Sequence, residues 1–104
     1  MTADSASDPR LIQLRREISD TDRAVVELVN KRLRLVATIK DYKARRGMDF
    51  VDPDRERWMR KYLHWANRGP LSAEGLDELF QEILDLTKRE VARLEADEPQ
   101  ASGV

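Results

Sequence analysis

Two positively charged side chains occupy positions where the longest amphipathic pattern of the chain calls for apolar residues. Arg32 falls on an a-type position of a heptad-like stripe, and Lys43 follows 11 residues later. At ~1.5 Å per helical residue they lie about 16 Å apart and point within ~20° of each other. A charge turned inward is unfavourable unless it is paired. The two cations suggest a site for a small dianion, although snorkelling to solvent or pairing with core carboxylates would also satisfy them.

A third cation, Arg15, precedes Arg32 by 17 residues. That spacing turns it by roughly 100° from the helix face that carries Arg32. Arg15 therefore does not easily serve the same pocket within one subunit, whereas it would reach a pocket in a partner chain. Spacing alone favours an ordinary surface arginine.

Further polar residues cluster near predicted helix ends and faces. Asp52, Arg55 and Glu56 stand at the start of the second predicted helix. N-capping and the helix dipole explain Asp52 well and Glu56 less well. Thr87 interrupts the apolar side of the third predicted helix, one turn before Val91. A threonine hydroxyl that bonds back to its own helix would also account for this position.

Composition excludes several classes of chemistry and of partner. The chain has no cysteine and a single histidine, His64, so thiolate nucleophiles and His-based metal sites are not expected. No Gly-rich phosphate loop or Ser/His/Asp constellation occurs, and no metal or cofactor is predicted. Nineteen basic and 20 acidic residues leave a net charge of −1, which predicts neither nucleic acid nor membrane binding. The first residues, Met1–Pro9, lack a signal-peptide pattern, so cytoplasmic residence is expected.

The cations must be positioned by a very long first helix. Its pattern runs from Pro9 to about Arg46, with Asp8 as N-cap and Gly47 as the stop. A helix of about 37 residues is roughly 55 Å long, whereas a compact domain of this size measures about 35 Å across. One subunit does not cover such a helix, so its apolar stripe must meet a second chain. That stripe comprises residues 11, 14, 18, 25, 28, 35 and 39.

Two shorter helices complete the predicted fold. Asp52 and Pro53 start the second, which reaches about Asn67, and Ser72 caps a third that reaches about Ala96. The fold class is therefore all-α with three helices. We expect one domain over residues 9–96, with disordered tails at residues 1–8 and 97–104.

Taken together, these segments resemble the all-α chorismate mutase family. The likeness is carried by LIQLRREISDTD (Leu11–Asp22) with its continuation to Gly47, by VDPDRER (Val51–Arg57) and by LSAEGLDELFQEILDLT (Leu71–Thr87), and it covers about residues 10–91. No single segment is specific, but the ordered set is. The resemblance implies an intertwined helical homodimer that converts chorismate to prephenate by a Claisen rearrangement.

By that resemblance, each of two equivalent active sites receives Arg15 from the opposite chain. Arg15 and Arg32 would hold the two carboxylates of the substrate. Lys43 would contact a carboxylate and the ether oxygen of the breaking bond. These three cations and Glu56 are the predicted catalytic residues.

The same resemblance assigns the remaining wall of the site. Asp52 and Glu56 would engage the ring-hydroxyl region, Arg55 would shape that wall, and Thr87 would assist through its hydroxyl. The family usually has Gln or Glu one turn after the hydroxyl residue, where Val91 stands here. Valine does not donate a hydrogen bond, so the chain is predicted to be a slow enzyme or to act on another substrate. Alternatively, the alignment with the family is shifted by some residues; Glu90 is adjacent to Val91.

Three alternatives share the same residues. A 4-amino-4-deoxychorismate mutase or an isochorismate pyruvate lyase would use the same clamp, that is, Arg15 and Arg32 holding the two carboxylates of the substrate. A non-catalytic regulatory helical dimer is a third hypothesis, and a shikimate-pathway enzyme that activates the chain is a candidate partner. A generic coiled coil is disfavoured because Arg32 lies on the seam.

Overall fold

Residues 6–97 fold into three α-helices joined by two short connections. The computed structural model describes residues 6–97, and no strand occurs among them. The helices are α1 Pro9–Arg45, α2 Pro53–Ala66 and α3 Ala73–Asp97. The all-α prediction is confirmed, and each helix ends within one residue of its predicted end. None of the helices in residues 6–97 is long and apolar enough to cross a lipid bilayer.

The predicted tails fall largely outside this range. Residues 1–5 and 98–104 are not among the described residues. Residues 6–8 precede α1, and Asp97 is the last residue of α3. The disordered tails stay predictions.

Side chains next to each helix start provide its N-cap. Asp8 Oδ1 accepts from two backbone N–H groups of the first turn of α1, at 2.9 and 3.1 Å. Asp52 Oδ1 accepts from Arg55 N at 3.1 Å, and Ser72 Oγ accepts from Gly75 N at 2.9 Å. Each cap satisfies backbone donors that have no partner inside the helix. The three predicted caps are therefore present.

Helix α1 ends in a Schellman motif centred on Gly47. The Gly47 N–H donates to Ala44 O at 3.2 Å, and the Met48 N–H donates to Lys43 O at 2.9 Å. Gly47 has φ +66°, a left-handed conformation that glycine adopts without steric conflict. The motif fixes the backbone of Lys43 in the last turn of α1.

The structure divides into two compact units, Met1–Arg34 and Leu35–Val104. The described part of the first unit is residues 6–34, most of which belong to α1, and none of these residues is buried. Apolar side chains of its stripe are open to solvent in this chain, with Leu28 63 % exposed. The exposed stripe residues of this unit are Leu14, Ile18, Val25 and Leu28, and the neighbouring Ile12 and Val26 are exposed as well. Such a continuous apolar stripe is typical of a surface that pairs with another chain.

The core of the second unit is one face of α3. Its buried residues recur at intervals of three or four, which places them on a single helical stripe. They are Leu76, Phe80, Leu84, Thr87 and Val91. Thr87 is the buried polar residue of this core.

The aromatic residues of α2 lie outside that core. Trp58 is 52 % exposed and Trp65 is 74 % exposed. Trp58 stacks on Tyr62 with ring centroids 5.3 Å apart, and Tyr62 lies 6.2 Å from Trp65. The two tryptophans are not core residues of this chain, because the buried stripe belongs to α3.

Helix α2 is tied to α3 by a polar cluster around Asp77. The His64 Nε2 and Asp77 Oδ1 atoms are 2.7 Å apart, and Arg60 Nη1 lies 3.7 Å from the same oxygen. Arg60 Nη2 also donates to Gln81 Oε1 at 3.3 Å. His64 is half-buried and joins the two helices through this contact.

We expect this cluster to make stability sensitive to acid. The hydrogen bond with His64, and then the positive charges of His64 and Arg60, hold the pKa of Asp77 below its ordinary value of 3.8 despite opposing desolvation. A lowered folded-state pKa contributes stability above the unfolded pKa, and that stability is lost as pH falls through the folded value. Below about pH 4, the urea midpoint of Asp77→Asn should therefore fall less steeply than that of the wild type. Glu78→Gln, an exposed neighbour, should keep the wild-type slope, and equal slopes in all three proteins would contradict the prediction.

Candidate active site

The two arginines of the predicted clamp lie on α1 in the first unit. Arg32 is half-buried, and burial lowers the pKa of its guanidinium. An arginine still keeps its charge at neutral pH, so the fold holds a partly desolvated cation on this helix. Arg15 is exposed. Partial desolvation strengthens the interaction of Arg32 with an anion.

Lys43 belongs to the second unit and is held near the end of α1. Its side chain is half-buried. The Lys43 Nζ donates to the backbone carbonyl of Phe50 at 3.3 Å. The helix cap and this hydrogen bond together restrain both the backbone and the ammonium of Lys43.

Three predicted residues share the first turn of α2. The Asp52 carboxylate caps the helix, as its position predicted. The Arg55 guanidinium lies 4.7 Å from the centroid of the Trp58 ring, a cation–π distance. Glu56 is half-buried. Residues 52–56 thus present three acids and one cation, next to helix N–H groups that favour negative charge.

Thr87 and Val91 lie one turn apart on the buried face of α3. Thr87 is 8 % exposed, and its Oγ1 donates to Ile83 O at 2.6 Å. Val91 is 2 % exposed. The hydroxyl therefore bonds back to its own helix, and the position after it is filled by an apolar core side chain.

A cleft of about 400 Å³ lies beside Val91 in the second unit. Its walls are α1 residues between 37 and 44 and the α3 residues Val91, Leu94 and Glu95. Lys40 and Glu95 form an ion pair on this wall, with Nζ and Oε2 3.1 Å apart. Within residues 6–97, no group of three or more His, Cys, Asp or Glu side chains is placed to hold a metal ion.

The structure brings the predicted site residues together in local groups. Asp52, Arg55 and Glu56 share one turn, and Thr87 and Val91 share one face. Lys43 is joined to the loop that leads into that turn. Sequence reasoning missed Phe50, whose carbonyl Lys43 contacts. The sequence signal available for Phe50 was an aromatic residue in the short connection between α1 and α2.

Comparison with known proteins agrees with this all-helical architecture. Residues 14–91 match the family model described as Chorismate mutase type II. A solved chorismate mutase from Thermus thermophilus (form I) superposes with a TM-score of 0.72 at 35 % identity, covering 75 % of this chain and 98 % of that one. Form II of the same enzyme gives 0.74 at 33 % identity, covering 81 % and 96 %.

Two curated relatives are bifunctional chorismate mutase/prephenate dehydratases. The protein from Pseudomonas aeruginosa is 34 % identical over 84 residues, which is 76 % of this chain and 23 % of that protein. The Stutzerimonas stutzeri protein is 35 % identical over 81 residues, covering 72 % and 22 %. The chain thus spans less than a quarter of either relative. Fold and matches define a small all-helical domain of the chorismate mutase class. The chain belongs to the type II chorismate mutase family, which confirms the resemblance predicted from its sequence.

Proposed function

We propose that this chain is a chorismate mutase, an isomerase that converts chorismate to prephenate for aromatic amino acid biosynthesis. The family match carries the proposal, because residues 14–91 contain every candidate residue from Arg15 to Val91. The solved enzymes that it resembles share its three-helix fold over most of their length. The rearrangement itself requires neither an enzymatic nucleophile nor a metal ion.

The proposed mechanism begins with a conformational clamp. In the [3,3] rearrangement the ether C–O bond breaks while a new C–C bond forms, and neither a proton nor an electron is exchanged with the enzyme. The substrate must only fold into its diaxial conformer. Arg15 and Arg32 bind one carboxylate each through charge-assisted hydrogen bonds and so restrict the dianion to that conformer.

Electrostatic stabilisation supplies the second part. Negative charge grows on the ether oxygen as the C–O bond lengthens. The Lys43 ammonium meets that charge, and a preorganised donor needs no reorganisation during the reaction. A millionfold acceleration corresponds to ~8 kcal/mol, which the clamp and this contact together supply. Asp52 and Glu56 bind the ring-hydroxyl region, and Arg55 shapes that wall. The Thr87 hydroxyl assists in substrate binding when it turns away from the carbonyl of Ile83.

We also propose that the enzyme works as a homodimer with two shared active sites. The uncovered apolar stripe of α1 supports this because a second long helix would bury it. Arg15 is exposed on its own chain, so its side chain is accessible to the active site of a partner chain. Cytoplasmic residence and activation by a shikimate-pathway enzyme stay predictions.

Product identification tests the proposal directly. Purified protein is incubated separately with chorismate, isochorismate and 4-amino-4-deoxychorismate, and the products are identified by chromatography and mass spectrometry. We expect prephenate from chorismate as the main product. Pyruvate release from isochorismate, or rearrangement of only the amino analogue, would assign one of the sister reactions. No turnover of any of the three would favour the regulatory dimer.

The apolar side chain of Val91 indicates a slow enzyme, and we expect a glutamine at this position to make it faster. Family members that carry Gln or Glu at this position have a hydrogen-bonding group near the ether oxygen, and one such donor is worth ~2.7–4 kcal/mol. Such a donor corresponds to about a hundredfold or more in rate, and Val91→Gln should recover at least about tenfold in kcat/KM in steady-state assays. The same change should lower the thermal midpoint, because Val91 is 2 % exposed and a buried amide costs stability. Val91→Leu, which adds no donor, should give no gain. An unchanged or lower kcat/KM in folded Val91→Gln would contradict this explanation of the departure.

A further inference from the structure

The connection between α1 and α2 is held to α1 through one residue, Phe50. Its carbonyl accepts from Lys43 Nζ at 3.3 Å. Its ring centroid lies 5.1 Å from the Nζ of Lys40, one turn earlier on α1. Lys40 also pairs with Glu95 of α3 at 3.1 Å. A continuous series of contacts thus runs from α3 through Lys40 and Phe50 to Lys43.

The two contacts of Phe50 have different roles. The ring is half-buried and lies against a cation that α3 restrains, so it anchors the connection. Because the connection is anchored, the Phe50 carbonyl is held at a fixed position next to the Lys43 ammonium. A lysine ammonium is a compact charge on a flexible stem with three donors. A carbonyl that takes one donor fixes the direction of the other two.

We propose that Phe50 is a positioning residue for Lys43. Its ring, held by Lys40, keeps its carbonyl where it orients the Lys43 ammonium toward the substrate. The inference rests on the proposed chorismate mutase function. Because Lys43 acts mainly on charge that develops in the transition state, a loosened ammonium lowers kcat more than it raises KM.

The first test compares substitutions in the connection. Phe50→Leu keeps an apolar side chain but removes the ring face, and it should lower kcat about tenfold while KM changes less than about threefold. Phe50→Tyr retains the ring and should stay within about twofold of wild type in both constants. Val51→Ala is the matched control, because Val51 is the next residue and is 60 % exposed; it should also stay near wild type. A Phe50→Leu enzyme with wild-type kcat would overturn the proposal.

A double-mutant cycle asks whether the effect passes through Lys43. In the Lys43→Gln background the ammonium is absent, so Phe50→Leu should lower the remaining kcat by less than about twofold. A tenfold loss in both backgrounds would show that Phe50 acts by another route and would overturn the proposal. Circular dichroism and the thermal midpoint of each variant establish that it is folded.

A measurement without substrate separates this inference from the proposed function. In protein labelled with ¹³C-lysine, Lys43→Arg identifies the Lys43 signal by its disappearance. The two ε-methylene protons of a restrained Lys43 should be inequivalent in the wild type and in Phe50→Tyr, and they should merge in Phe50→Leu. Unchanged Lys43 signals in Phe50→Leu would refute the positioning role. If the wild type turns over none of the three substrates, the proposed function fails, while these signals still decide whether Phe50 holds Lys43.

Discussion

Arg32→Ala is expected to abolish turnover while leaving the helices and the dimer intact. In the proposed mechanism this guanidinium holds a substrate carboxylate from a partly desolvated position, since burial lowers its pKa. Truncating one partner of such a contact costs ~4 kcal/mol, which is about a thousandfold in kcat/KM. The fold should tolerate the change, because Arg32 is half-buried and not a core residue of this chain, so its truncation removes little packing. Steady-state kinetics, circular dichroism and sedimentation measure the three properties.

Two further variants serve as controls for this experiment. Arg23→Ala removes an exposed arginine of the same helix, whose ion pair with Asp20 at 3.7 Å is a surface contact of small energy. It should keep wild-type activity. Arg32→Lys retains the charge but not the planar fork that binds a carboxylate through two hydrogen bonds, so it should recover only a small part of the activity. Unfolding or dissociation of Arg32→Ala would instead favour a structural role for Arg32.

Mixing two inactive proteins is expected to restore activity. Arg15→Ala and Lys43→Ala chains should each be inactive alone. In a mixed dimer, one site combines the intact Lys43 of one chain with the intact Arg15 of the other. Random exchange places half of the chains in mixed dimers and leaves one of their two sites intact, so about a quarter of wild-type activity should return. The measurement is the initial rate after subunit exchange, with exchange followed by native mass spectrometry.

A second mixture provides the control. Arg32 and Lys43 are proposed to come from the same chain, so a mixed dimer of Arg32→Ala and Lys43→Ala contains no intact site. That mixture should stay inactive under the same conditions. If the first mixture also stays inactive although mixed dimers are present, the shared site is refuted. The two mixtures therefore identify which chain supplies Arg15.

Much of the fold is determined within short segments of sequence. Asp8, Asp52 and Ser72 cap helices through bonds to backbone groups two or three residues away, and Gly47 ends α1 through bonds within one turn. Such interactions depend only on neighbouring residue types, so the sequence predicted all three helices and their ends. The apolar stripe of α1 was also predictable from the sequence, because its spacing follows the helical repeat.

The sequence predicted the candidate site less completely than the fold. Polar residues on apolar stripes singled out Arg32, Lys43 and Thr87, and the family resemblance added roles for Arg15 and the first turn of α2. The capping role predicted for Asp52 is present, and so is the back-bonding predicted as an alternative for Thr87. The sequence did not identify Phe50, because its proposed role in positioning Lys43 depends on its backbone carbonyl. Every residue has such a carbonyl.

Sequence alone determined what the chain is: a three-helix member of its family, with the helix caps, the long apolar stripe and the order of the charged residues all encoded locally. Tertiary structure decided which distant side chains meet. Lys40 and Glu95 are 55 positions apart, and His64 and Asp77 are 13 apart. Tertiary structure also left the tryptophans of α2 outside the core that α3 forms. Contacts of this kind depend on how whole helices pack, and the period of a single helix carries no information about its neighbour.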